Sequence, residues 1–337
     1  MSDVSGEIAV EIAQRLTHHG YRDGGTMCLL IGDKGSGKTT GLLNLAEGVR
    51  YKDEEGGGWR RETVIWRARS IDYWTRVDPG RRTVWVCAAD DGRIRWSADG
   101  VRELLPPVRF YTTVQDLIDQ IQERPGKIHV VYSPNGIYDF DPRFQDEMGM
   151  GRKDIIKAVY KRELDIESIF WYEMMFVLTR HTSRRFFCSL IMDELQRLLP
   201  PSTRGLRYHI QAFMALEILP DFRKQNKSLF AAGHATSNMD YRLYPLIQVY
   251  GYMRGGKVKK GSSVRNNALA LQEPGIVMWD AGLFGRMKFR AYPNLPLVIC
   301  DRDQVKFPKI LLDAGGVAGS GRVYLGDVEI PVSEEAA

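Results

Sequence analysis

The chain has 337 residues, of which 44% are apolar and 26% charged; this is the composition of an ordinary globular protein, long enough to bury a sizeable core. A formal net charge of +5 permits a polyanionic partner without demanding one. Cys28, Cys87, Cys188 and Cys300 lie far apart with no Cys-x-x-Cys pair, which argues against a zinc ribbon or a disulfide framework and predicts a reducing, cytoplasmic setting.

The N-terminal stretch MSDVSGEIAVEIAQRLTHHGY carries acidic residues where a signal peptide carries basic ones, and its apolar spacing over 6–18 predicts a helix. A strand, TMCLLIG, is expected next, then a glycine-rich turn and a helix from Thr39 to about Val49. YKDEEGGGWRR reads as an exposed polar loop, and ETVIWRA and RTVWVCAA as strands of β-branched and aromatic residues. VRFYTTVQDLIDQIQERPGKIHVVYSP predicts strand, helix and strand, the helix capped near Thr113 with Asp116 three residues on.

Residues 134–153 are rich in turn formers and predict a surface insertion, whereas 154–182 predict one long helix or two shorter ones. The apolar stretch IESIFWYEMMFVLTRH is interrupted by Glu173 and is too short to span a bilayer, so no membrane segment is expected. RFFCSLIMDE, a continuous apolar run ending in two carboxylates, suits a central parallel strand buried on both faces. HIQAFMALEILPDFRKQN is expected to be helical up to Pro220, and SLFAAGHATSN to be another buried strand. GYMRGGKVKKGSSVRNN reads as a loop, and PGIVMWDAGLFGRMKFRAY as a hairpin around Ala281-Gly282. The expected architecture is α/β, a mostly parallel sheet with helices on both faces and a C-terminal β-hairpin. It divides into an N-terminal helix (1–24), a main domain (25–300) and a partly disordered extension (301–337).

Gly32, Asp33, Lys34, Gly35, Ser36, Gly37, Lys38 and Thr39 match G-x-x-x-x-G-K-[ST] in full, with Thr40 following. Glycines let backbone N–H groups turn around a phosphate, Lys38 can reach the β- and γ-oxygens, and Thr39 offers a hydroxyl to Mg2+. The expected strand before and helix after are the context this chemistry requires. Asp193 and Glu194, at the end of CSLIMDE, supply a metal-holding carboxylate and a water-polarising one at a strand's C-terminal end. The alternative for Asp193 is a plain helix cap. The near match to a guanine-reading Asn-Lys-x-Asp, Asn226-Lys227-Ser228, is followed by Leu229, so ATP is the expected nucleotide.

His234, with Thr236 and Ser237 behind it, stands after the next strand, where a polar side chain can sense a γ-phosphate. Arg223, at the end of the preceding helix, is either a finger reaching a neighbouring subunit's phosphates or a solvated helix-end cation. The sequences LIGDKGSGKTT, LIMDELQRLLP and LPDFRKQNKSLFAAGHATSNMDYRL, with the late hairpin LALQEPGIVMWDAGLFGRMKFRAYP, resemble the FtsK/HerA superfamily of ring-forming, DNA-pumping P-loop ATPases of RecA/ASCE type, over about residues 25–300. The resemblance implies a hexameric ring, ATP sites between subunits and double-stranded DNA in a central channel. His234 stands where that family often has a strand-end glutamine, and Arg223 where a helix arginine precedes the strand.

Arg254, Lys257, Lys259, Lys260 and Arg265 form a basic, glycine-containing loop that can track a phosphate backbone or be a solvated surface. Trp59, Trp66 and Trp74 alternate with arginines in a composition compatible with nucleic acid and equally with strand packing. The expectation is an ATP-driven DNA translocase, packaging or transferring viral or plasmid DNA, cytoplasmic or virion-associated, with a capsid or membrane complex as possible partner. The alternative is an assembly ATPase resembling zonula occludens toxin, acting on a protein.

Overall fold

The computed structural model describes residues 4–53, 57–69, 71–72, 84–89, 94–98, 108–201, 204–262, 264–291, 298–302, 322–325 and 328–331. In chain order the first elements are α1 (Val4–Thr17), β1 (His18–His19), β2 (Met27–Ile31), α2 (Lys38–Gly48), β3 (Arg50–Lys52), β4 (Trp59–Arg61) and β5 (Thr63–Arg67). The short β6 (Ile71–Asp72), then β7 (Val84–Ala89), β8 (Ile94–Ala98), β9 (Val108–Tyr111), α3 (Val114–Gln122) and β10 (Ile128–Tyr132) follow. Next come α4 (Pro142–Glu147), α5 (Arg152–Tyr160), α6 (Ile166–Arg180), β11 (Cys188–Met192), α7 (Leu195–Leu198), α8 (Gly205–Phe213) and α9 (Leu219–Lys224). The chain continues through β12 (Lys227–Gly233), β13 (Val249–Tyr252), α10 (Asn266–Ala270), β14 (Ile276–Asp280), β15 (Phe284–Lys288), β16 (Val298–Arg302), β17 (Arg322–Leu325) and β18 (Val328–Pro331).

Among the described residues ten strands form one sheet in the order β15-β14-β13-β2-β12-β11-β5-β10-β7-β9. From β13 to β9 every neighbouring pair is parallel, and β14 and β15 add an antiparallel hairpin at one edge. Side chains alternate between two cores, as the period of a strand requires. On one face Met27, Leu29, Ile65, Leu190 and Leu229 pack with α3 and α6. On the other, Cys28, Leu30, Val64, Ile191 and Phe230 pack with α1 and α2. The central strands are apolar throughout because both faces are covered. The fold is therefore an α/β P-loop NTPase fold with a mostly parallel sheet, as the sequence predicts. One strand, β12, lies between β2, which feeds the glycine loop, and β11, which carries the acidic pair.

The structure departs from the sequence reading in four places. YKDEEGGGWRR is not all loop: β3 and β4 pair antiparallel, and β3 also pairs with β1. Residues 134–153 are not only a surface insertion, because Phe140 and Phe144 are buried in the core against the α6 side of the sheet. Burying two phenyl rings offsets the entropy of ordering a turn-rich segment. The helix around Pro220 does not stop there; a π-turn at Met214–Ile218 leads into α9 with the proline in its first turn, where no N–H is needed. VYGY, ahead of the basic loop, is the parallel strand β13. The segment 154–182 forms two helices, α5 and α6. Trp66 is buried and Trp59 half exposed, while Trp74 and most of the expected disordered tail lie outside the described residues. Among the described residues no helix is long and apolar enough to cross a membrane.

Candidate active site

The glycine loop joins β2 to α2 at the C-terminal end of the sheet. Gly37 has φ +96°, a left-handed conformation that glycine adopts without penalty, and a Cβ there would lie 2.7 Å from the Gly275 backbone nitrogen. A Cβ on Gly32 would lie 2.5 Å from Ser36 Oγ. Both positions require a bare backbone for the loop to close this tightly. Lys38, 8% exposed, donates its ammonium to the carbonyl oxygens of Gly32 at 2.7 Å and Asp33 at 2.8 Å. Burial lowers its pKa, opposed by the charges of Asp193, Asp33 and Glu194.

Across β12, Asp193 and Glu194 leave the end of β11. Thr39 Oγ1 donates to Asp193 Oδ2 at 3.1 Å, so the last motif residue and the first acid meet although they lie far apart in sequence. Asp193 Oδ1 accepts from the Glu194 backbone nitrogen at 2.9 Å. Asp193 is not the cap of α7, whose N-cap is Glu194 without a side-chain cap hydrogen bond. Glu194 has φ +52°, which is rare for a residue with a side chain, and its Oε2 is held by Arg69 Nη2 at 2.9 Å and by Arg197 Nε at 2.8 Å.

Three arginines therefore bear on the acidic pair, and the sequence reading passed over them all. Arg67, at the end of β5 and 1% exposed, donates through Nη1 to the Asp193 carbonyl at 2.8 Å and through Nε to Glu167 Oε1 at 2.9 Å. The available signal was WRARS: an arginine closing an apolar strand, at the sheet end where ligands bind, with another two residues on.

His234 immediately follows β12 and is half buried, which brings the strand end between the glycine loop and the acids; Gly32 N donates to Gly233 O at 3.3 Å. Arg223 lies at the opposite end of the sheet, where its Nε donates to the Gly25 carbonyl ahead of β2 at 3.2 Å. It is not brought together with the phosphate loop of its own chain, because β2 lies between. The basic loop splits in two. Arg254 sits against the glycine loop: its carbonyl accepts from Asp33 N at 3.0 Å, and a Cβ on Gly35 would be 3.7 Å from its guanidinium. Lys257, Lys259, Lys260 and Arg265 are exposed, with the Lys259 ammonium 5.0 Å over the Tyr250 ring. Asn226 and Lys227 are buried at the start of β12, far from the glycine loop, and Lys227 donates to the carbonyls of Ser183, Phe186 and Gln225.

The residues fit a nucleotide with Mg2+. The loop is a cradle that side chains would fill, and one hydroxyl and one carboxylate converge beside it, the small protein donor set that Mg2+ takes when phosphates and water complete its shell. Among the described residues no cluster of three or more histidine, cysteine or carboxylate groups offers an all-protein metal site.

No family model and no curated protein sequence matches this chain. Among solved structures it is similar to the N-terminal domain of zonular occludens toxin from Neisseria meningitidis, at 12% identity and TM-score 0.31, covering 80% of this chain and 87% of that one. It is also similar to the genome-packaging NTPase B204 of Sulfolobus turreted icosahedral virus 2 in complex with AMPPCP, at 9% identity and TM-score 0.41, covering 79% and 98%. A third is the cytoplasmic domain of the Thermomonospora curvata type VII secretion ATPase EccC, at 13% identity and TM-score 0.29, covering 84% and 24%. At these identities the likeness is one of fold, and the fold itself is read from the strand order above.

Proposed function

We propose that this chain is an ATP-hydrolysing motor of FtsK/HerA type that moves double-stranded DNA in genome packaging or transfer, working as a ring, most simply a hexamer. The observation that carries the reading is the 3.1 Å contact between Thr39 and Asp193, which brings a complete phosphate loop and an acidic strand end together across one intervening strand. In this reading the loop N–H groups and Lys38 hold the β- and γ-phosphates of ATP, and Thr39 and Asp193 hold Mg2+. When bound, Mg2+ neutralises charge on the transferring phosphoryl group. Glu194 orients and polarises the attacking water. His234 reads the γ-phosphate from the end of β12. Arg223, remote from its own loop, serves the site of a neighbouring subunit. Arg254 faces the phosphates, while the exposed Lys257, Lys259, Lys260 and Arg265 track the DNA backbone without reading sequence.

The experiment is a steady-state ATPase rate with and without double-stranded DNA at low and moderate salt, with Lys38→Ala and Glu194→Gln proteins as controls. The expected result is DNA stimulation that weakens with salt, no turnover in either variant, and retained ATP binding in Glu194→Gln. An unstimulated rate from assembled protein overturns the DNA reading and leaves an ATPase acting on a protein partner, such as a coat or membrane component.

A further inference from the structure

Beside the acidic pair, at the C-terminal ends of β5, β10 and β11 and the start of α6, an open cleft of about 810 Å³ is lined by four arginines, Arg67, Arg162, Arg197 and Arg207, against two carboxylates, Asp165 and Glu167. Its volume suits a nucleotide-sized group. Both carboxylates are already engaged: Glu167 pairs with Arg67 at 2.7 Å, and Asp165 with Arg207 at 3.5 Å. Beyond these pairs stand Arg162, which is exposed, and Arg197, whose side chain is 61% exposed and paired with Glu194. Arg207 Nε, shielded from solvent, has no hydrogen-bond partner, so its present contacts do not saturate the guanidinium. Among the described residues no aromatic side chain lines the cleft to stack a base. These features suit the phosphodiester backbone of a nucleic acid, held without sequence preference.

Arg197 belongs to this cleft and also to the site described above, where its Nε holds Glu194 Oε2 at 2.8 Å. With Arg69 on the same oxygen, the Glu194 carboxylate is turned to two cations, and its backbone is kept in a left-handed conformation. Two cations on Oε2 draw charge from the carboxylate that would polarise water, and a strained backbone persists only while its surroundings hold it. We infer that the cleft is a DNA-backbone site that gates hydrolysis: a phosphate seated between Arg162, Arg197 and Arg207 competes with Glu194 for Arg197 and frees the carboxylate for the attacking water. The inference rests on the DNA-motor reading and deepens it by naming the element through which DNA raises the ATPase rate.

The test measures ATPase rate against double-stranded DNA concentration, at several salt concentrations, for wild type, Arg162→Gln, Arg207→Gln and Arg197→Ala. Arg162 and Arg197 are exposed, so their variants are expected to fold. Arg162→Gln and Arg207→Gln are expected to require more DNA for half-maximal stimulation, with a salt slope lower by about 1. Arg197→Ala is expected to hydrolyse ATP without DNA several-fold faster than wild type and to gain little from added DNA. Stimulated wild type with cleft variants stimulated identically overturns the gating site and leaves the DNA motor standing. A slower DNA-free rate in Arg197→Ala overturns the restraint on Glu194. Wild type that DNA does not stimulate overturns the motor reading and this inference with it.

Discussion

Thr39 Oγ1 and Asp193 Oδ2 lie 3.1 Å apart, one at the start of the helix after β2 and the other at the end of β11, with β12 between those strands. A hydroxyl and a carboxylate in that relation can share one Mg2+. Thr39→Val keeps the shape and removes the hydroxyl, so it is expected to raise the Mg2+ concentration needed for half-maximal ATPase activity. Thr39→Ser is expected to stay near wild type. Equal Mg2+ dependence in the valine protein would remove Thr39 from the metal site.

Arg67 is almost fully buried, whereas its partner Glu167 has 37% of its side chain exposed. The two truncations are therefore unequal. Glu167→Ala leaves a buried guanidinium without its carboxylate and is expected to cost about 3 kcal/mol, within the range for breaking a buried pair. Arg67→Met leaves a carboxylate that can turn to water and is expected to cost less stability. It also removes the donor to the Asp193 carbonyl, so it is expected to lower the ATPase rate more than stability. Urea unfolding of both proteins, with rates measured where both are folded, checks the order.

Burial of Glu173 in the middle of α6 raises its pKa from the ordinary 4.5 to about 7, in spite of hydrogen bonds received from the Tyr138 hydroxyl at 2.7 Å and the Asp141 backbone nitrogen at 2.9 Å. The folded chain thus holds a proton that the unfolded chain releases between those two values. Stability contributed by this group is full below pH 4.5, declines as pH rises to about 7, and is flat above. The whole change is about 3 kcal/mol. Glu173→Gln, neutral at every pH, is expected to flatten the pH dependence of the urea midpoint in this window, and a curve parallel to wild type would show that Glu173 does not titrate there.

Phe144 is fully buried and packs 5.4 Å from the Phe176 ring, centroid to centroid. Phe144→Ala is expected to destabilise the protein by about 3–5 kcal/mol. A substitution in a true surface insertion would cost less than about 0.5 kcal/mol. Thermal unfolding of the variant separates the two.

The phosphate loop, the acidic pair and the succession of buried strands are legible in the chain alone, because each is written in contiguous residues: a glycine spacing that suits a tight phosphate-binding turn, and apolar runs that suit strands covered on both faces. The late hairpin was legible for the same reason, through its alternation around Ala281-Gly282. Tertiary structure alone decided what those pieces meet. The strand order puts β12 between the two motifs, the closure of Arg67 and Arg69 on the acids brings the end of β5 to the end of β11, where α7 adds Arg197, and the opposed placement of Arg223 follows from which end of β2 it borders. The burial of Phe144 and Glu173 was hidden too, since a turn-rich segment and a carboxylate in a helix read as surface until that segment packs on α6, Phe144 against Phe176 and Tyr138 and Asp141 over Glu173. Contacts between distant segments have no period or spacing in the chain, and they are fixed only when burial of two apolar faces selects one packing of the sheet.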